Sequence, residues 1–353
     1  MSGARDLVIR EARPDEFAAV AALTERAFAA GPYGHLPVSA ERHALVRAVD
    51  ERAATGIVLV AEAPAAVGRG GELVGTASLL RAGRPHARLA VDDEAELRLL
   101  AVDRGSRGHG VGAALAAAAQ EEAHAWGAPA VVLDTGALNH AAQRLYERLG
   151  YTRFRRAACG SGAPDPRIDP VDYRLPLRRR DDVVVRLVRD DEVDAVAELS
   201  LRAYEHDYDV SDTYRASILD VGSRAREHQV WVAADAVDGG LLGTVATPRR
   251  GGVISPLAAS GELDFRLLAV DPAARGRGIG ATLTEHAIEL ARLRGLERVV
   301  MNSGPQMTGA HRLYERLGFA RLTEREREIV DGGRTFRLLA FTIDVPGRAR
   351  TPA

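Results

Sequence analysis

Residues 96–112 read Glu-Leu-Arg-Leu-Leu-Ala-Val-Asp-Arg-Gly-Ser-Arg-Gly-His-Gly-Val-Gly, and residues 264–280 read Asp-Phe-Arg-Leu-Leu-Ala-Val-Asp-Pro-Ala-Ala-Arg-Gly-Arg-Gly-Ile-Gly. Each stretch opens as a nearly continuous apolar run, the pattern of a strand buried on both faces. Each then passes through Arg-Gly-x-Gly-x-Gly into a segment with helical spacing of apolar residues. Strand, glycine turn and helix in that order form a physical recipe for holding phosphate. The glycines let the backbone come close, and the amides of the turn and helix start point at one anion.

Working outward, the repetition extends well beyond the turn. Arg-Leu-Tyr-Glu-Arg-Leu-Gly occupies residues 144–150 and again residues 312–318, and every one of these matches is separated by 168 residues. The openings match as well, since Leu-Val-Ile-Arg at 7–10 with Arg13 and Asp15 mirrors Val-Val-Val-Arg at 183–186 with Arg189 and Asp191. The larger offset there puts extra residues in loops of the first copy, such as the glycine-rich turn at 68–71. A polar run, Arg-Arg-Arg-Asp-Asp at 178–182, suits a linker between copies. The expected domains are therefore residues 1–178 and 179–353.

Within each copy the pattern predicts a short β-branched strand, then a helix capped by Asp15 or Asp191. A hairpin follows (57–61 with 73–80; 230–234 with 241–247), then the central strand and glycine turn. Helices are expected over 111–126 and 279–294, strands over 130–133 and 298–301, and closing helices stopped by Gly150 and Gly318. The fold class is α/β with a mixed sheet.

Composition removes several function classes. The chain has 353 residues, 46% of them hydrophobic, with a formal net charge of -2, so disorder and a dedicated nucleic-acid binder are both disfavoured. All 47 basic residues are arginine. A Walker-A loop and a Schiff-base enzyme each need a lysine and are excluded. Cys159 is the sole cysteine, which leaves no disulfide framework or thiolate cluster. No signal-peptide pattern opens the chain, and no run approaches the roughly 18 apolar residues of a membrane helix. The expectation is a soluble cytosolic protein with no nucleic-acid or membrane partner.

The dinucleotide fingerprint wants Gly-x-Gly-x-x-Gly near the start of a fold, whereas the spacing here is 108, 110, 112 and 276, 278, 280, after several strands. A ligand-free tight turn remains the bland reading. The residues Arg107-x-x-Gly110-x-Gly112 and Arg275-x-x-Gly278-x-Gly280 resemble the acyl-CoA pyrophosphate loop of the GNAT acetyltransferase superfamily. Leu-Tyr-Glu-Arg-Leu-Gly followed by Tyr151 or Phe319 resembles that family's closing motif. The likeness covers both halves. It implies two GNAT-like domains, each with a mostly antiparallel mixed sheet flanked by helices and splayed to form an acyl-CoA slot.

The resemblance further implies acetyl-CoA as acyl donor and a primary amine of a small molecule or peptide as acceptor. Leu100, Ala101 and Val102, with Leu268, Ala269 and Val270, would line the pantetheine arm. Arg107, Gly108, His109, Gly110, Val111 and Gly112 would hold pyrophosphate, as would Arg275, Gly276, Arg277, Gly278, Ile279 and Gly280. An alkyl amine has a pKa of about 10.4, so a base is needed near neutral pH. Glu96 and its shorter counterpart Asp264 stand where relatives place a catalytic glutamate; each is otherwise a strand-end carboxylate. Tyr146 and Tyr314 match a tyrosine that protonates the leaving thiolate in many members, or else serve as packing aromatics. Asn139 is a CoA contact or a helix cap, and Met307 replaces it in the second copy.

Acceptor recognition is expected after the first helix of each copy. Residues 204–214, Tyr-Glu-His-Asp-Tyr-Asp-Val-Ser-Asp-Thr-Tyr, would suit a cationic amine or form a solvated surface, while residues 28–37 contain no carboxylate. His206 has no second histidine at ligand spacing, so no metal is expected. No Gly-x-Ser-x-Gly elbow supports a hydrolase. Two domains in one chain are similar to the mycothiol synthase layout within the family, which implies a cysteinyl amine as an alternative acceptor. The other alternative is an acyl-CoA-binding regulatory module with one or both sites degenerate.

Overall fold

The computed structural model describes residues 7–64, 71–154 and 170–345. Cys159, the opening residues 1–6 and residues 68–70 of the expected glycine-rich turn lie outside them. The chain divides into two compact units that change over between Arg179 and Arg180, with residues 125–127 grouped with the second.

The first unit runs β1 (Val8–Glu11), α1 (Phe17–Ala29), α2 (Ala40–Arg47), α3 (Val49–Thr55), β2 (Gly56–Glu62), β3 (Leu73–Arg81) and β4 (Ala95–Val102). It continues through α4 (Val111–Trp126), β5 (Ala130–Gly136), α5 (His140–Arg148), β6 (Thr152–Phe154) and β7 (Pro170–Pro176). Its sheet has the order β1-β2-β3-β4-β5-β7-β6. Only β4 and β5 pair in parallel; the other neighbours are antiparallel.

The second unit repeats the plan with β8 (Val183–Leu187), α6 (Val193–Glu205), α7 (Asp212–Leu219), α8 (Val221–Glu227), β9 (Gln229–Asp235) and β10 (Leu241–Thr247). Then come β11 (Glu262–Asp264), β12 (Arg266–Val270), α9 (Ile279–Leu293), β13 (Arg298–Ser303), α10 (Thr308–Arg316), β14 (Ala320–Arg321), β15 (Arg327–Asp331) and β16 (Arg334–Asp344). Here the central strand is interrupted at Phe265. Strands β12-β10-β9-β8 form one sheet, and β11-β13-β16-β14 form another, with β15 paired to β16.

Local chemistry explains the elements that matter. Alanine is the best helix former, and the alanine-rich α4 buries Leu115 through Ala119 against its sheet. The closing helices α5 and α10 bury Tyr146 and Tyr314 among exposed arginines and stop at Gly150 and Gly318, both at φ +90°. The expected caps at Asp15 and Asp191 are not formed. Residues 14–16 and 190–192 wind into 3₁₀ turns, and Glu16 and Glu192 order them instead. Each accepts the N–H three residues back, from Arg13 at 2.8 Å and Arg189 at 3.0 Å. Each also takes both terminal nitrogens of an arginine on the first strand, Arg10 or Arg186. The glutamate, held by a bidentate arginine, takes that corner in place of the aspartate.

Candidate active site

The slot begins where parallel pairing ends. β4 meets β5 only at Ala95↔Val131 and Glu96↔Val132, then leaves it. In the second unit β11 pairs with β13 up to Asp264↔Val300, after which β12 pairs only with β10. Just beyond each divergence a leucine adopts left-handed backbone, Leu99 and Leu267, both at φ 53°. The register slips at the same place, between Thr76 and Ser78 and between Thr244 and Ala246, which marks a bulge in the central strand. A leucine in that region costs about 1–3 kcal/mol, and such strain persists where the surrounding fold imposes it. Beyond the bulge, Ala101–Val102 and Ala269–Val270 stay paired with β3 and β10 on one side and have no ladder partner on the side of β5 or β13.

The glycine turn follows. Gly108 and Gly110 sit at φ 82° and 85°, Gly276 and Gly278 at 79° and 78°, values that β-carbon-bearing residues rarely take. Helices α4 and α9 start directly after them, so their first N–H groups, without intrahelical acceptors, open toward the turn. Gly112 and Gly280 bring the two repeated motifs together. A β-carbon there would come within 3.2 Å of Leu145 and 3.1 Å of Leu313.

The front arginine behaves differently from a free cation. Arg107 donates to the carbonyl oxygens of Ala27 at 2.6 Å, Ala30 at 3.0 Å and Val102 at 3.3 Å. Arg275 grips Asp207 at 2.7 Å and the Ala203 carbonyl at 3.3 Å. Both guanidiniums tie the end of the first long helix to the turn. Arg277 pairs with Asp235 at 3.0 Å, and His109 is exposed.

The two carboxylates occupy unlike surroundings. Glu96 is fully buried, and its Oε2 accepts the N–H groups of Arg88, Leu89 and Ala90 at 2.7, 2.6 and 3.1 Å. Its Oε1 lies 3.4 Å from the Arg98 guanidinium without a hydrogen bond. Asp264, 1% exposed, accepts one N–H, from Ile254 at 3.3 Å, and its Oδ2 has no partner among the described residues. One missing methylene separates a carboxylate wrapped by three loop amides from one that takes a single N–H.

Tyr146 packs against Tyr151 and Tyr173 with ring centroids 5.7 and 5.9 Å away. Tyr314 sits among Phe265, Phe319 and Phe341. Burial pushes both phenols well above their ordinary value. Among the described residues neither hydroxyl has a hydrogen-bond partner, so each proton is held yet uncommitted.

In the second unit these parts share one cavity of about 1280 Å³. It runs from Gly276–Gly280 along Leu267–Val270 to Asp264 and Tyr314, then widens between Tyr204, Tyr208 and Tyr214. That volume and the glycine cradle at one end fit an extended nucleotide thioester.

A family model described as acetyltransferase (GNAT) family matches residues 19–151 and again residues 193–319. The chain belongs to this family.

Its two GNAT-family matches have relatives of several kinds. A mycothiol acetyltransferase of Beutenbergia cavernae is 38% identical over 90 residues, which is 26% of this chain and 28% of the relative. Glucosamine 6-phosphate N-acetyltransferase 1 of Oryza sativa subsp. japonica is 34% identical over 110 residues, 31% of this chain and 62% of that protein. The chain thus matches less than two thirds of either relative's length. A solved acetyltransferase from Salmonella typhimurium with its cofactor acetyl-CoA aligns at 20% identity and TM-score 0.37, covering 49% of this chain and 99% of that one.

Several site features of this GNAT chain escaped the sequence. Leu99 and Leu267 carry no sequence signal for left-handed backbone. Asn139 caps α5, its side-chain oxygen accepting the Ala142 N–H at 3.4 Å, while Met307 leaves α10 without a side-chain cap and lines the cavity. Tyr33 reaches across to the end of β5, where its hydroxyl accepts the Leu138 N–H at 2.6 Å and its ring covers Gly136. In the acidic stretch after α6, Asp207 faces Arg275 and the exposed Asp209 faces Arg334. Among the described residues no group of three or more His, Cys, Asp or Glu is placed to hold a metal ion, and no helix is long and apolar enough to cross a membrane.

Proposed function

We propose that the chain transfers the acetyl group of acetyl-CoA to a primary amine of a small molecule or peptide by direct attack, without a covalent enzyme intermediate. The observation that carries this reading is the joint lining of one cavity by Asp264, Tyr314, the bulged strand and the glycine turn. Acetyl-CoA, when bound, supplies the thioester. Amides of Gly276–Gly280, and of Gly108–Gly112 in the first unit, hold the pyrophosphate, while Arg275 and Arg107 keep the turn in shape. The unsatisfied Oδ2 of Asp264 takes the proton from the acceptor ammonium, and Glu96 Oε1 does so in the first unit. A backbone N–H released by the bulge at Leu267 or Leu99 donates to the developing oxyanion. Tyr314 or Tyr146 gives its proton to the departing thiolate. Thiols titrate near 8.5 and phenols near 10, so the donation needs the apolar site to disfavour free thiolate.

Two other readings have support. The mycothiol acetyltransferase relatives and the tandem layout favour a cysteinyl amine as acceptor. Met307 in place of Asn139 favours the reading in which the second unit is a degenerate copy with a weaker hold on acyl-CoA.

Calorimetric titration with acetyl-CoA counts the sites: two are expected, one supports the binding-module reading, and none overturns the proposal. CoA thiol release over a panel of amines, cysteine conjugates included, then identifies the acceptor class. Binding without release on any amine would exclude the enzyme reading.

A further inference from the structure

Beyond the reacting groups, each unit brings two arginines together at the acceptor end. In the second unit Arg266 follows Asp264 by two residues and lines the same cavity, exposed to it. Arg224, on α8, stands behind it and donates to the carbonyl oxygen of Ser217, another lining residue. Each lies close enough to the Tyr214 ring to be felt there, and Arg266 repels Arg224. Among the described residues neither arginine forms an ion pair; Asp220, which acts on Arg224, is committed to capping α8.

The first unit holds the equivalent pair with the front arginine more committed, since Arg98 donates to the His86 carbonyl oxygen and lies 3.4 Å from Glu96 Oε1. Arg98 corresponds to Arg266 at the spacing of 168 residues, and Arg52 on α3 corresponds to Arg224 on α8. Arg52 is 1% exposed and donates only to neutral oxygens, those of Val46, Ala48 and Ser78. Arg98 again repels it. A buried cation without a counter-ion is costly, and Arg52 is one; its counterpart Arg224 is half-buried and likewise forms no ion pair among the described residues. Of the carboxylates that line the cavity, Asp264 lies two residues from Arg266 without forming an ion pair, and the rest are committed elsewhere. Asp207 is held by Arg275, Asp209 faces Arg334, and Asp331 accepts from the Ser211 hydroxyl at 2.6 Å.

We infer that the acceptor is an amine carrying an anionic group, carboxylate or phosphate, at its far end, received by Arg266 in the second unit and Arg98 in the first. This rests on the acetyltransferase reading above. The arginine docks the anion while the amine faces Asp264 or Glu96, and Arg224 and Arg52 add positive potential from behind. Acetyl transfer then proceeds as described, with the proton leaving through the carboxylate and CoA departing as thiol.

The test is CoA release by the full chain on matched amines: O-phosphoethanolamine against ethanolamine, β-alanine against β-alaninamide, and putrescine as a cationic control. An anionic amine is expected to exceed its neutral partner in kcat/KM by about tenfold or more, the size of a charge-assisted contact. The two pairs tell phosphate from carboxylate. The Arg98→Gln/Arg266→Gln double variant should bring the ratio near one by raising KM for the anionic amine. Its acetyl-CoA titration should stay unchanged, and Arg98→Lys/Arg266→Lys should restore part of the preference. Equal or better use of neutral or cationic amines overturns this inference alone, as does a preference that survives the double glutamine variant. Acetyl-CoA binding with no amine turned over would overturn the acetyltransferase proposal and this inference together.

Discussion

Arg275 holds both oxygens of Asp207, at 3.0 and 2.7 Å, and so fixes the end of α6 against the glycine turn. The pair is partly exposed, 38% on each side, so its effect on folding is about 1 kcal/mol or less. Its effect on the turn is larger, because the turn's amides must converge on one anion. Asp207→Asn is therefore expected to weaken acetyl-CoA binding in the second unit several-fold with little change in the unfolding midpoint. Calorimetry decides the sign. Tighter binding would mean that the released guanidinium reaches the pyrophosphate itself.

Tyr146→Phe and Tyr314→Phe remove hydroxyls that make no hydrogen bond among the described residues, so each variant should fold with nearly wild-type stability. General-acid catalysis contributes on the order of 10²–10⁴ in rate. Each substitution should lower kcat in its own unit by such a factor and leave acetyl-CoA affinity intact. Unchanged turnover in both variants would remove the phenols from the mechanism.

The same burial predicts an alkaline limit. Tyr146, Tyr151, Tyr204 and Tyr314 keep their protons in the folded chain above the pH at which the unfolded chain loses them. Between those values the native state binds more protons, so stability falls as pH rises. Each tyrosine contributes about 1.4 kcal/mol per pH unit in that window. Denaturant midpoints should be level below about pH 10 and decline above it, less steeply in either Tyr→Phe variant.

Much of this was legible in the sequence because it is local or repeated. The glycine turn, the start of α4 at Val111, the stops at Gly150 and Gly318 and the motifs repeated in both halves are written in residue order. The bulges at Leu99 and Leu267 are not, since leucine has no preference for that backbone and only the strand's neighbours impose it. The roles of Arg107 and Arg275 were hidden for the same reason: their partners at Ala27, Ala30 and Asp207 are more than 60 positions away. Charge composition of residues 204–214 does not reveal the pairing of Glu205 with Arg215, Asp207 with Arg275 and Asp209 with Arg334, because those partners are distant in sequence or set by the fold.

Glu96 provides a test of wrapping against chemistry. Its Oε2 takes three backbone N–H groups in a fully buried place, so the carboxylate organises residues 88–90 whatever else it does. Glu96→Gln keeps one acceptor but turns an amide toward the Arg98 guanidinium and gives up the charge those donors face. A loss of about 1–3 kcal/mol in unfolding free energy is expected. Asp264→Asn, with one such contact, should cost less. Equal losses would show that the loop rather than the carboxylate carries the stability.

The last difference between the copies is exchangeable. Asn139 caps α5 through a long contact of 3.4 Å to the Ala142 N–H, while Met307 stands at the same place before α10 without one. Their backbones agree, φ -84° and ψ 61° against φ -81° and ψ 51°, so an asparagine at 307 needs no rearrangement. A side-chain cap is typically worth about 1 kcal/mol. Met307→Asn should therefore gain a few tenths to 1 kcal/mol at α10 but lose apolar lining beside Tyr204, and Asn139→Met should lose the cap alone. The asymmetry makes the pair informative: acetyl-CoA titration of Met307→Asn reports whether the second unit's grip was limited at this position. A tighter second site with unchanged stability would assign Asn139 to CoA contact as well as to capping, and no change would leave it a cap.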